Sequence, residues 1–254
     1  MPRSSFAALP ALALAVGLAL PGHAGQGECT EDAMLVFDAS GSMAEMGFNG
    51  LDLPRIMEAR LAVRTVMPRV EAYRRIGLVT YGPGTREPCS NVTQHFPPIP
   101  NAAHPVVVAV ENVSPDGETP LTEAVGTAVA TLGGTGVKGQ VVLVTDGRET
   151  CGGAPCQLAA EIASETGITV HVIGFKVRGR AFRWADAGSE EGVDHGRTVA
   201  RCLADYTGGT YVNAESTAEL IVALQQALGC PFVGGLSGGE GWGLYENLFS
   251  GILR

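Results

Sequence analysis

Asp38-Ala39-Ser40-Gly41-Ser42 places one carboxylate and two hydroxyls at alternate positions of a five-residue stretch. Alternation in a tight loop aims such groups at a common point. Two later segments carry the same chemistry: Gly117-Glu118-Thr119-Pro120-Leu121 supplies a hydroxyl, and Val144-Thr145-Asp146-Gly147 a carboxylate. Asp38, Ser40, Ser42, Thr119 and Asp146 are all oxygen donors, the class preferred by a hard divalent cation: Mg²⁺ first, with Ca²⁺ and Mn²⁺ as alternatives. Each segment also has a local reading. Asp38 and the serines can cap a turn, Thr119 can cap a helix that has Pro120 at its first position, and Asp146 can form a turn. Taken together, in this order, they point to one cation site.

Such convergence needs elements that bring the three loops to one edge. Ala33–Phe37 is a short apolar run suited to a buried strand, and it ends at Asp38. Ile76–Tyr81, Gln140–Thr145, Ile168–Phe175 and Thr210–Asn213 read as further strands, with Val92–Phe96 the antiparallel partner of Ile76–Tyr81. Between them lie helical patterns: Ile56, Ala59, Val63, Val66 and Val70 on one face, then Leu121–Leu132, Leu158–Ser164 and Thr198–Tyr206. A last helix opens with the capping box Ser216-x-x-Glu219 and stops at Gly229. Asp52 and Pro54 stand where the first helix needs a cap and an early proline. Strands separated by helices imply a mostly parallel, doubly wound α/β sheet, with helices on both faces and one antiparallel edge strand. Ligands of such sheets bind beyond the carboxyl ends of the strands, so the loops after Asp38, Asp146 and Phe175 are expected on one rim.

In this arrangement the sequence resembles the von Willebrand factor type A (VWA) domain and its metal-ion-dependent adhesion site (MIDAS). That site consists of a DxSxS loop plus a distant Thr and a distant Asp on a Rossmann-like sheet, and all five positions are matched. The likeness runs from about Cys29 to Cys230, and the stretch from Thr145 to Gly153 followed by Cys156 resembles exported bacterial members. It implies that Ser40, Ser42 and Thr119 meet the ion through their hydroxyls, while Asp38 and Asp146 often act through water. With two carboxylates around a divalent ion, the ion keeps positive charge and an exchangeable position. The resemblance implies that an Asp or Glu side chain of a protein or peptide ligand fills it.

Composition sets the remaining bounds. The chain has 254 residues, 45% hydrophobic and 17% charged, so it can fill a real core and disorder of the whole is excluded. A net charge of −9, with 17 Lys and Arg and no basic stripe, excludes nucleic acid as a partner class. Residues 1–24 read as a signal peptide: Arg3, an apolar run from Phe6 to Leu20 too short to span a bilayer, and a small-residue cleavage site at Ala24. The expectation is a periplasmic or secreted protein without a transmembrane segment: a VWA domain over 29–230, then a Gly-rich tail over 231–254 with a short amphipathic stretch. Export makes the six cysteines a disulfide framework. Cys29–Cys230 would clip the domain's ends, adding about 4–5 kcal/mol on the loop-closure account. Cys151–Cys156 would close a local loop, leaving Cys89–Cys202 by elimination. Half a zinc site at Cys151 and Cys156 is the rival reading.

Other features are assigned more simply. Gly134-Thr135-Gly136-Val137-Lys138-Gly139 matches a dinucleotide fingerprint but precedes a strand, so it is a turn. No G-x-S-x-G, HExxH or P-loop occurs, so the expected activity is binding without catalysis. A metal-dependent hydrolase is the alternative, with Glu149 the rim carboxylate available as its base. Loop 176–197, with Phe182, Trp184 and His195, and loop 43–50, with Met46 and Phe48, flank the expected site. The tail carries Trp242, Tyr245, Leu248, Phe249 and Ile252, suited to docking on the domain or to a partner or membrane surface.

Overall fold

A computed structural model describes residues 31–46, 53–83, 89–134, 136–177 and 195–229, with backbone alone for 195–199. Its elements follow in the order β1 (Ala33–Asp38), a 3₁₀ turn (Gly41–Ala44), α1 (Arg55–Val70), β2 (Ile76–Tyr81), β3 (Val92–Ile99) and α2 (Ala103–Asn112). Then come α3 (Leu121–Thr131), β4 (Lys138–Thr145), α4 (Pro155–Glu165), β5 (Gly167–Phe175), α5 (His195–Thr207), β6 (Tyr211–Ala214) and α6 (Thr217–Leu228).

The strands form one sheet in the order β3-β2-β1-β4-β5-β6, parallel except for β3 at the edge. From β1 the chain winds outward through β2 and β3, then returns to β1's other side with β4 and winds the opposite way. The switch in strand order therefore lies between β1 and β4, where a doubly wound sheet leaves a crevice at its carboxyl edge. Asp38 ends β1 there, and Thr145 ends β4 beside it.

Both sheet faces are covered, which explains the near-continuous apolar runs of the central strands. Leu35, Phe37, Leu78, Val142 and Val144 face α1, α2 and α6. Met34, Val36, Val79, Tyr81, Val141 and Leu143 face α3, α4 and α5. The helices bury the stripes their spacing predicts: Ile56, Ala59, Val63, Val66 and Val70 on α1, and Leu220, Leu224 and Leu228 on α6. Ser216 caps α6, its hydroxyl accepting from the Glu219 N–H at 3.2 Å. Among the described residues no helix is long and apolar enough to cross a membrane.

The chain enters β1 and leaves α6 at the edge opposite the crevice. There Arg75 pairs with Asp32 through two hydrogen bonds, and Arg74 Nη2 donates to the Gly229 carbonyl at 3.1 Å.

Three expectations need correction. First, α2 lies in a stretch assigned no element: Val106 and Val110, one turn apart, are buried among the residues of the α1 face. Second, β3 continues through Pro97 and Pro98 to Ile99, because one missing N–H can face the open outer side of an edge strand and the pair falls at the register shift between Leu78↔Phe96 and Ile76↔Ile99. Third, the disulfides are Cys89–Cys151 and Cys156–Cys202, with Cα separations of 5.5 and 5.3 Å, instead of Cys151–Cys156 and Cys89–Cys202. The physical reason is the direction of the chain. Cys151 sits in the loop after β4, against the β2–β3 connection, whereas Cys156 is already in the first turn of α4, which packs on α5. These bonds also leave no thiol pair for zinc. Cys29–Cys230, the signal peptide, the tail, Asp52, Phe48, Phe182 and Trp184 lie outside the described residues.

Candidate metal centre

Asp38, Ser40, Thr119 and Asp146 are all at most 5% exposed, an unusual burial for two carboxylates. The loop after β1 turns back on itself, with the Ser40 N–H donating to Asp38 Oδ1 at 2.8 Å. Asp38 Oδ2 accepts from the Thr145 hydroxyl at 2.7 Å. Ser40 Oγ and Ser42 Oγ share a hydrogen bond of 3.1 Å, and Ser42 Oγ donates to Asp146 Oδ1 at 2.5 Å. First and third loops therefore meet side chain to side chain. Thr119 faces the same spot, since a Cβ built on Gly147 would stand 3.8 Å from Thr119 Oγ1 and 3.9 Å from Ser42 Oγ.

Backbone bonds hold the second loop in place. Asp116 N–H donates to the Ala39 carbonyl and Gly41 N–H to the Gly117 carbonyl, both at 3.0 Å. On the far side, Thr119 N–H donates to Thr150 Oγ1 at 2.9 Å, and Thr150 N–H returns to the Thr119 carbonyl at 3.2 Å. This seam requires glycine at Gly82, where φ is +112° and a Cβ would lie 2.3 Å from the Ala39 backbone. Thr119 makes no cap of its own: α3 is preceded by Pro120 at the N-cap, with no side-chain bond.

That cap comes from Glu149 instead. Its Oε2 accepts from the Thr122 N–H at 2.7 Å and from the Thr122 hydroxyl at 2.8 Å, while Oε1 accepts from the Cys151 N–H at 2.7 Å. A carboxylate at a helix N-terminus meets unpaired N–H groups and the positive end of the dipole. Glu149, the rim carboxylate nominated as a base for hydrolysis, thus accepts three hydrogen bonds that tie the loop after β4 to the start of α3.

Three residues that sequence reasoning missed complete the centre. Arg55, 5% exposed at the start of α1, donates through Nη1 to Asp146 Oδ2 at 2.8 Å, to the Ser42 carbonyl at 3.0 Å and to Glu45 Oε2 at 3.2 Å. Thr145 braces Asp38. Tyr81 lies across from Asp38 in the β1–β2 register, wholly buried, with the Asp38 and Asp146 carboxylates and the Thr145 hydroxyl as polar neighbours. Burial above all, and then the Asp38 charge, hold its phenol protonated well beyond the ordinary tyrosine range. The one available signal was positional: both Tyr81 and Thr145 end strands neighbouring β1.

The donor set fits a hard cation. Among the described residues no group of three or more His, Cys, Asp and Glu comes together. Three hydroxyls and two carboxylates do come together. Asp146 has Arg55 as counter-charge, but among the described ion pairs none reaches Asp38. A wholly buried carboxylate without a cationic partner is costly unless a cation joins it. Elsewhere on the rim, Lys176 and Glu58 form an ion pair at 2.5 Å, and Met46 is 58% exposed.

Comparison with known proteins agrees with this fold. Residues 32–195 match the von Willebrand factor type A domain. An uncharacterized protein of Bacillus subtilis, YwmC, is 27% identical over 187 residues, covering 68% of this chain and 81% of the relative. Among solved structures, BatB from Bacteroides thetaiotaomicron superposes with a TM-score of 0.55 at 16% identity, over 78% of this chain and 97% of that one. Proximal thread matrix protein 1 from the mussel byssus, in a form with a zinc-occupied MIDAS motif, gives a TM-score of 0.50 at 16% identity. There the match covers 78% of this chain and 45% of that protein. Likeness at such identities speaks for the fold alone.

Proposed function

Because the chain belongs to the von Willebrand factor type A domain family, we propose that Asp38, Ser40, Ser42, Thr119 and Asp146 hold a divalent cation. Through that cation they hold an acidic side chain of a protein ligand. One observation carries this reading above the others: Asp38 is wholly buried, braced by Ser40 and Thr145, and without a basic partner among the described ion pairs. The family's common work, protein–protein interaction, supports it, as does the zinc in the MIDAS of the mussel protein.

When bound, the ion supplies Lewis-acid attraction for an external carboxylate. The chain's own residues do the rest. Ser40, Ser42 and Thr119 offer neutral oxygens, so the site does not cancel the ion's charge. Arg55 holds Asp146 in register and offsets part of its charge. Thr145 fixes the plane of the Asp38 carboxylate. Mg²⁺ is the first candidate, since every donor is oxygen, with Ca²⁺ and Mn²⁺ as alternatives. Export to the periplasm or beyond, after removal of residues 1–24, belongs to the same proposal and is supported by two disulfides that an oxidising compartment would maintain. So do the domain limits 29–230.

Calorimetric titration of MgCl₂, CaCl₂ and MnCl₂ into the oxidised chain tests the site, with Asp38→Asn as control. Saturable binding to wild type and none to the variant is expected. At about a hundredfold excess of ion over its dissociation constant, wild type gains about 2.7 kcal/mol in denaturant melts, and chelator removes the gain. Equal binding by both proteins would overturn the assignment. Capture of ligands from an exported proteome should then be chelator-sensitive and competed by acidic peptides.

A further inference from the structure

Among the described residues, the polar floor of the centre contains one buried hydroxyl outside hydrogen-bond geometry, that of Tyr81. Tyr81, Asp38 and Thr145 form a row across β2, β1 and β4 on a single face of the sheet. Within that row Thr145 donates to Asp38, while Tyr81 Oη is buried beside both Asp38 and Thr145 without meeting hydrogen-bond geometry toward either. Phenylalanine would fill the same space against Val36, Val79, Leu121 and Val125 without this cost. A buried hydroxyl left without a well-formed hydrogen bond beside a carboxylate calls for an explanation in terms of the site it borders.

The neighbouring carboxylate offers such an explanation. Asp38 accepts from Ser40 N–H and from Thr145 Oγ1, two of the roughly four bonds a carboxylate can accept. A cation drawing on Asp38 would turn its carboxylate, and the phenol beside it is placed to complete a hydrogen bond to that carboxylate. We infer that Tyr81 is a positioning residue of the cation site, whose hydroxyl donates to Asp38 only when the ion is bound. The inference rests on the cation-site reading above. Its consequence is that the ion-free protein carries an unsatisfied donor that ion binding relieves, so the hydroxyl strengthens binding by disfavouring the empty form.

Tyr81→Phe in the full, oxidised chain tests this. Titration with MgCl₂ should show about tenfold weaker binding than wild type, while the ion-free melting temperature stays equal or rises. Mg²⁺ should also perturb the tyrosine ultraviolet difference spectrum of wild type, and the perturbation should vanish in the variant. Unchanged Mg²⁺ affinity in Tyr81→Phe, beside a wild type that binds and an Asp38→Asn that does not, overturns the role of Tyr81 alone. A lower ion-free melting temperature in the variant also overturns it, because the hydroxyl would then be satisfied without the ion. Absence of binding by wild type overturns the cation site itself.

Discussion

Cys151 is bonded to Cys89 across 62 residues of sequence, and this bond anchors the loop that carries Asp146 to the connection between β2 and β3. Cys156–Cys202 spans 46 residues and joins α4 to α5, away from the crevice.

The two bonds should therefore separate stability from binding. Replacing either pair by serine is expected to cost about 4 kcal/mol in denaturant melts. Under conditions where both variants remain folded, only the loss of Cys89–Cys151 should weaken Mg²⁺ binding in calorimetry.

Gly82 and Gly134 both have positive φ, +112° and +67°, but only Gly82 has backbone pressed against it. Gly82→Ala should destabilise by on the order of 3 kcal/mol or more and loosen the seam between the first two loops. Gly134→Ala, with open space around it, should cost about 1 kcal/mol and leave ion binding untouched. Thermal melts with and without Mg²⁺ read both effects.

Glu149→Gln replaces one acceptor at the start of α3 with a donor facing donors. A loss of about 1–2 kcal/mol is expected, with cation affinity retained. If the variant instead kept its stability and lost an ester- or phosphate-hydrolysing activity present in wild type, the assignment of Glu149 as a helix cap would be wrong.

His171 is held below the ordinary histidine value of 6.5 by burial and by Arg74, and His95 by burial. A lowered folded value means that the unfolded chain takes up the proton first as pH falls. Stability from this source is therefore complete above pH 6.5 and declines on acidification through that value toward the folded one. Melts between neutral and mildly acidic pH should show the decline, and His171→Gln should flatten it.

The sheet was legible because its central strands are long apolar runs: Ile76–Tyr81 reappears unchanged, Ala33–Phe37 gains Asp38, and Gln140–Thr145 gains Lys138 and Gly139. What escaped was where local signals conflict. The stretch Ala103-His104-Pro105-Val106-Val107-Val108 has a proline and three β-branched residues, so α2 is set by packing on α1 instead of by propensity. The five proposed oxygen donors could be nominated from short motifs of distinctive composition, and the fold brings Ser40, Ser42, Thr119 and Asp146 near one another. Arg55 and Tyr81 lie in no motif and Thr145 was read only as the neighbour of Asp146, so their places emerge only when the fold sets them beside Asp38 and Asp146. Sequence proximity misled for Cys151 and Cys156, whose loop and helix send them to opposite neighbours.

Asp32 and Gly229, where the chain enters and leaves the sheet, sit beside Arg75 and Arg74 on the edge away from the crevice. A stalk or surface joined at either end would hold the module by its base, like a lamp on its bracket, with the three loops turned outward. Tension applied between the two ends would meet the contacts of Arg74 and Arg75 at that edge, across the sheet from Asp38 and Asp146.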